Sequence, residues 1–117
     1  MIPHRGDVHS DHRIVFDAVT ACTKWFRYPS VQRVLAYETV SETEFGLSKE
    51  QAFSPNYFVD ISRFLTEKLR LMQIYESEIS KPPFPRSVEV VKALAIWRGA
   101  TSGYDAAEAF ELLKERY

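Results

Sequence analysis

The chain has 117 residues, of which 45% are hydrophobic and 26% are charged. These proportions are typical of one soluble globular domain spanning residues 1–117, and they exclude a disordered or fibrous chain. Lys and Arg total 15 against 16 Asp and Glu, a net charge of -1, so the composition argues against nucleic acid and anionic lipid as partners.

Two further features bear on location. No apolar run approaches the ~18 residues of a membrane span, and the opening MIPHRGDVHSDHR is too charged for a secretory signal. The single cysteine, Cys22, excludes an internal disulfide and a cysteine-based zinc cluster. The sequence therefore predicts a cytoplasmic protein that makes no membrane contact.

The first half of the chain predicts a helix, a strand and a loop. Apolar residues at helical spacing favour a helix from about Asp11 to Trp25, with Ser10 as its N-cap. A β-branched and aromatic run predicts a short strand at Arg33–Glu38. The polar stretch from Ser41 to Pro55 predicts a long loop.

The second half predicts another strand and two helices. A short strand at Tyr57–Ile61 leads to Ser62 as a cap, and an amphipathic helix is expected from there to about Ser80. Three prolines then make a stiff connector, after which Ser87 caps a third helix that is expected to stop at Gly99. The tail Ala106–Leu113 has high helix propensity but is short, so its type is left open by the residues alone.

This order predicts an α/β chain with three main helices and a few short strands. Six residues are expected in the core because of their spacing or type: Cys22, Trp25, Phe58, Phe64, Trp97 and Phe110.

Residues with side chains suited to catalysis or metal binding are concentrated at the start of the chain, where all three histidines fall within the first twelve residues. His9 and His12 are three apart at a predicted helix start, with Asp11 between them. Imidazoles and carboxylates at such spacing suit a zinc hydrolase, which needs three protein ligands and an open position for water. The residues leave open which histidine is a ligand and which is an acid, and a solvated surface pair remains the simpler alternative.

Several segments in order extend this observation. GDVHSDHR is followed by FSPNYFVDIS, PFPRSVEVVKALAIWRGATSG and AEAFELL. From Pro3 onward, the chain resembles the C-terminal half of the LmbE-like, PIG-L-related family of zinc-dependent N-deacetylases. The resemblance implies a Rossmann-like, three-layer parent fold in which the tail is a strand, and an N-acetylated amino sugar or its conjugate as substrate.

The resemblance also implies residue roles. The family's histidine motif falls on His9-Ser10-Asp11-His12, with Ser10 where proline is common. By this resemblance His12 is a zinc ligand, His9 assists the oxyanion or the leaving amine, and Asp11 orients His9. Arg86 and Arg98 match positions that contact substrate or brace the site wall, although pairing with a nearby carboxylate is the simpler role for an arginine.

The family's other motif, an N-terminal His-Pro-Asp-Asp that supplies two zinc ligands and the general base, has no match among these residues. The resemblance therefore implies that the isolated chain is inactive and that an N-terminal segment is missing. An adventitious zinc site among the opening histidines is left open. The alternative hypothesis is a noncatalytic, truncated or split module that folds by self-association or on a partner chain.

Overall fold

Four strands and three helices form an α/β arrangement with a mixed sheet. A computed structural model describes residues 1–117. The strands are β1 (Ile2–Pro3), β2 (Arg33–Tyr37), β3 (Tyr57–Asp60) and β4 (Ala107–Glu115), and the helices are α1 (Ser10–Ala21), α2 (Leu65–Gln73) and α3 (Val88–Ser102). None of the helices combines the length and apolar character needed to cross a bilayer.

The sheet has the strand order β1-β2-β4-β3. β1 lies parallel to β2, with Ile2 opposite Ala36, and the chain passes through α1 between these strands. Such a β-α-β connection is the usual way to join parallel neighbours. β2 is antiparallel to β4, with Arg33 opposite Glu115 and an irregularity between Val34 and Leu35.

Two units divide the chain: Met1–Tyr57 with Phe110–Tyr117, and Phe58–Ala109. We call them the first and second unit. The core of the first unit contains Ile2, Val34 and Ala36, against which Phe16 and Val31 pack. The core of the second contains Ile61, Ala95 and Ala106, with Leu65 packed against them. The second core includes two alanines, Ala95 and Ala106, whereas branched residues predominate in the first.

The strand predictions are confirmed to within a residue, but α1 differs at both ends. His9, not Ser10, is its N-cap, because the His9 side chain accepts from the backbone N–H of Asp11. α1 ends at Ala21 because the backbone N–H of Cys22 turns to the carbonyl of Val19, three residues back. Such a bond tightens the last turn and ends the helix.

α2 is also shorter than predicted at both ends. The N–H and hydroxyl of Ser62 donate to Asp60 Oδ1, so Ser62 closes a turn before the helix instead of capping it. At the other end, the N–H groups of Ile74 and Tyr75 bond three residues back, to Leu71 and Met72. The residues that follow make a 3-10 turn at Glu76–Glu78.

The third helix begins as predicted and ends later. Ser87 Oγ accepts from Val90 N at 3.2 Å, which confirms the cap. The stop at Gly99 was wrong, since α3 continues to Ser102 and Gly103 closes it at φ 85°. Gly99 is instead buried at a close approach: a Cβ there would lie 2.6 Å from the carbonyl oxygen of Tyr104. The tail forms β4, as the family resemblance implied.

Part of the predicted core was wrong. Trp25, Phe64 and Trp97 are each more than 60% exposed, and the Cys22 thiol is on the surface. Phe110 is buried and Phe58 half-buried, as expected. Spacing shows which residues share a face of a helix, but whether another element covers that face depends on the tertiary structure.

Candidate histidine site

The candidate site lies where β1 and β2 end. Residues 4–12 follow the carboxyl end of β1, and residues 38–46 follow the carboxyl end of β2. These strands are parallel neighbours, so their following segments meet at one edge of the sheet. In α/β proteins this edge is where ligands bind. The backbone N–H of Val8 donates to the carbonyl of Glu42 at 3.2 Å and joins the two segments.

A buried carboxylate orients His12. Asp7 is 1% exposed, and its Oδ2 lies 2.7 Å from His12 Nδ1. Its other oxygen, Oδ1, accepts from the Thr43 hydroxyl at 2.6 Å. An ionised carboxylate only accepts hydrogen bonds, so His12 carries its proton on Nδ1 and Nε2 keeps a free lone pair. The His12 side chain is 25% exposed.

His9 lies beside His12 with its tautomer set differently. Its Nδ1 accepts from the backbone N–H of Asp11 at 3.2 Å, which caps α1. A neutral His9 therefore carries its proton on Nε2 and offers a donor there. The two rings are stacked, with centroids 5.1 Å apart and planes inclined by 25°. The pair thus combines one imidazole with a free lone pair at Nε2 and one with a donor at Nε2.

Asp11 reaches His9 through its backbone and not its carboxylate. Its Oδ1 accepts from Ser10 Oγ at 3.4 Å, and both side chains are exposed in the first turn of α1. The carboxylate that holds an imidazole is Asp7, on the other histidine. The proposed action of the Asp11 carboxylate on His9 stays a prediction.

His4 belongs to a separate buried network that holds the segment after β1. Its Nδ1 lies 3.0 Å from Glu111 Oε2, and its Nε2 lies 2.8 Å from the carbonyl oxygen of Gln51. Glu111 also accepts from the N–H of Ser54 at 2.7 Å. Gly6 permits this packing, because a Cβ there would lie 2.3 Å from Gln51 O. Both His4 nitrogens are engaged, so the ring serves as a tie between segments.

The two arginines suggested for substrate lie in the second unit. Arg86 Nη1 donates to Glu78 Oε2 at 2.6 Å, and its guanidinium lies 5.5 Å from the centroid of the Phe84 ring. This is the carboxylate pairing that the sequence left open. Arg98 is half-buried on α3, where its carbonyl accepts from the hydroxyls of Thr101 and Ser102. Substrate contact by either arginine stays a prediction.

The residues present fit one coordination position of zinc. A histidine that donates Nδ1–H to a carboxylate and keeps Nε2 free is the usual form of an imidazole ligand. No group of three or more His, Cys, Asp or Glu side chains in the chain is arranged to hold a metal ion. The residues that match a zinc site are therefore His12, as one ligand, and Asp7, which orients it.

Sequence reasoning missed the residues that support the histidines. Asp7 lies in the opening segment GDVHSDHR, five residues before His12, and an acidic residue just before a helix that carries a histidine is a usable signal for such a pair. Thr43 and Glu111 are 36 and 107 residues from their partners, and nothing in the spacing indicates them.

No family model matches the chain. A search of curated proteins likewise finds no match.

Proposed function

We propose that this chain supplies the histidine side of a zinc-dependent amide hydrolase of the N-deacetylase type, built on an LmbE-like, Rossmann-like three-layer fold. Its substrate class is an N-acetylated amino sugar or a conjugate of one. The observation that carries the proposal is the bond of 2.7 Å between His12 Nδ1 and the buried Asp7 carboxylate, which leaves Nε2 available to a metal. The β1-α1-β2 connection and the position of the histidines after β1 support the fold.

Each residue has a role that its bonds support. His12 would hold zinc through Nε2, and Asp7 fixes the tautomer and orientation of its ring. His9 offers its Nε2 proton to the developing oxyanion or the leaving amine. Asp11 holds His9 through the helix cap. Zinc, when bound, lowers the pKa of a water molecule and polarises the amide carbonyl. The other two ligands and the general base are not residues of this sequence.

Zinc titration of the full chain, followed by the side-chain nitrogen signals of the histidines, tests the metal role. We expect His12 Nε2 to shift first. Asp7→Asn should weaken this response by about 10- to 100-fold, the usual effect of losing a carboxylate that supports a ligand. Asp17→Asn is the control, since Asp17 is an exposed carboxylate on α1, the helix that carries His12, and it pairs with Arg5 instead of a histidine. No response of His12 at millimolar zinc, or an equal response in Asp7→Asn, would overturn the role.

Acetate release from an N-acetylglucosamine conjugate tests the reaction. The assay uses the longest protein encoded in the reading frame that contains Met1–Tyr117. We expect zinc-dependent release that His12→Gln abolishes and that His9→Gln lowers by about 100- to 10,000-fold, the scale of general acid–base catalysis. The 117-residue chain alone should release none. Release by this chain alone, or no release by the longest protein, would contradict the proposal.

A second candidate is a noncatalytic module that folds or functions by association with another copy or a partner chain. The observation that favours it is the exposure of apolar residues on α1. This helix has no buried residue, and its Ile14, Val15 and Val19 are 65%, 43% and 38% exposed. Exposed apolar patches of this kind commonly mark interaction sites. Sedimentation of the purified chain separates the candidates: an oligomer dispersed by Ile14→Asn, without zinc binding, favours the module.

A further inference from the structure

The Asp7–His12 pair continues into a turn that the sequence did not connect with it. Thr43 stands at the start of a 3-10 turn, Thr43–Phe45, after β2. Its hydroxyl donates to Asp7 Oδ1 at 2.6 Å. The hydroxyl oxygen of Thr43, Oγ1, in turn accepts from the backbone N–H of Thr39 at 2.7 Å. Thr43 and His12 thus each bond one oxygen of the Asp7 carboxylate.

The direction of these bonds follows from their groups. A backbone N–H can only donate, so Thr39 N–H occupies a lone pair of Thr43 Oγ1. An ionised carboxylate can only accept, so the Thr43 hydroxyl points its hydrogen at Oδ1. Donation into Oγ1 also strengthens the bond that Oγ1 makes in turn, because hydrogen bonds in a chain polarise one another. This series of hydrogen bonds runs from Thr39 N–H through Thr43 and Asp7 to His12.

The turn that presents Thr43 is tightly held. The N–H groups of Glu42 and Thr43 both donate to the carbonyl of Thr39, at 3.0 and 2.9 Å. Ser41 adopts a left-handed conformation, with φ 81°, and its N–H donates to Glu44 Oε1 at 2.6 Å. A non-glycine residue with positive φ is strained and persists where its surroundings require it. The strain lies in the turn that fixes the position of the Thr43 hydroxyl.

We propose that Thr43 is a positioning residue that sets the tautomer and orientation of His12 through Asp7, an inference that rests on the proposed function. By holding Oδ1, Thr43 fixes the plane of the carboxylate and keeps Oδ2 turned toward His12 Nδ1. It also supplies a second donor to a carboxylate that is buried, where each missing donor is costly. Without Thr43, the carboxylate is free to rotate, and the His12 ring populates its other tautomer.

The test measures the ratio of the two neutral tautomers of His12 from its side-chain nitrogen signals, without metal and at mildly alkaline pH. We expect the Nδ1–H form to dominate in the natural chain. Thr43→Val should lower the ratio of Nδ1–H to Nε2–H by about tenfold, the scale of one hydrogen bond to a charged group. Thr43→Ser keeps the hydroxyl and should restore the ratio.

Thr39→Val is the matched control. It makes the same change in the same turn, but Thr39 Oγ1 is buried without a hydrogen-bond partner, and the backbone N–H that serves Thr43 is retained. We expect the tautomer ratio of Thr39→Val to equal that of the natural chain. An equal fall in Thr39→Val, an unchanged ratio in Thr43→Val, or no rescue by Thr43→Ser would overturn the inference.

This outcome is separable from the proposed function. The tautomer ratio is read in the absence of metal, whereas the metal role is read from zinc titration. If Thr43→Val changes the tautomer ratio but zinc does not shift the His12 signals, the positioning role is retained and the metal role is overturned. If zinc shifts the His12 signals but Thr43→Val leaves the tautomer ratio unchanged, the metal role is retained and the positioning role is overturned.

Discussion

The two units bury different kinds of residue. In the first, two ionisable side chains, His4 and Asp7, are buried, and each has partners at both of its polar atoms. In the second, the buried residues are mainly small and apolar, and Gly99 and Ala106 bring backbones together. Buried and paired polar groups specify orientation, whereas close packing of small residues contributes mainly to stability. The contrast places the candidate chemistry in the first unit.

The largest effect is expected from Gly99→Ala in the second unit. The new Cβ would lie within 2.8 Å of three backbone atoms, one of Tyr104 and two of Ala106, and backbone cannot move aside as a side chain can. We expect a loss of about 3 kcal/mol in the free energy of unfolding, as for severe overpacking. Urea denaturation measures it.

Gly103→Ala is the control for that prediction. A Cβ at Gly103 meets nothing within 4 Å, so only its φ of 85° opposes the change. That conformation costs an alanine about 1 kcal/mol. Equal losses in the two variants would contradict the close-packing account of the second unit.

Asp7→Ala is the corresponding test of the first unit. Removing the carboxylate leaves the Thr43 hydroxyl and His12 Nδ1 without their partner. We expect a loss of about 2 kcal/mol, the usual cost of unpaired buried polar groups, together with loss of the Nδ1–H tautomer of His12. Asp17→Ala, at an exposed carboxylate, should change neither quantity. If Asp7→Ala retained full stability, the buried pair would not hold the first unit.

The helix caps give a smaller contrast. Ser87 is fully buried and caps α3, and Ser87→Ala should cost about 1 kcal/mol of unfolding free energy. His9 caps α1 from an exposed position at 3.2 Å, so His9→Ala should cost only about 0.5 kcal/mol, the low end for a cap. Urea denaturation of both variants measures the difference. A larger loss in His9→Ala would reverse the assignment of His9 as a group available for chemistry.

The smallest effect concerns acid stability in the second unit. Hydrogen bonds from the side chain and backbone of Ser62 lower the pKa of Asp60 below its ordinary value. Between the lowered pKa and the ordinary one, the unfolded chain binds more protons than the folded chain. The contribution of Asp60 to the free energy of unfolding is therefore fully present above the ordinary carboxyl pKa and is lost as pH falls through the lowered value.

Asp60→Asn should therefore flatten the fall of stability in acid, as measured by urea denaturation at a series of pH values. Asp105→Asn removes a carboxylate of the same unit that is not the partner of Ser62, and it serves as control. A curve for Asp60→Asn that coincides with that of the natural chain would contradict the contribution of this turn.

Local signals explain which parts of the fold were predictable. The strands at Arg33–Tyr37 and Tyr57–Asp60 follow from β-branched and aromatic runs, and the Ser87 cap follows from a serine before an apolar helix. The ends of α1 and α2 were not predictable from periodicity, because hydrogen bonds three residues back and the Asp60–Ser62 turn decide them. The tail became a strand because β2 pairs with it, which overrides its helix propensity.

By itself the sequence determined the α/β class, the crowding of histidines around the start of the first helix and the local partners His9 and His12. Only the tertiary structure decided that Asp7 is buried and that Thr43, 36 residues away, holds it. It also decided that Trp25, Phe64 and Trp97 are exposed. The physical reason is range: caps and strand propensities depend on neighbours in the chain, whereas burial and the bonds of a buried carboxylate depend on segments that only the fold brings together.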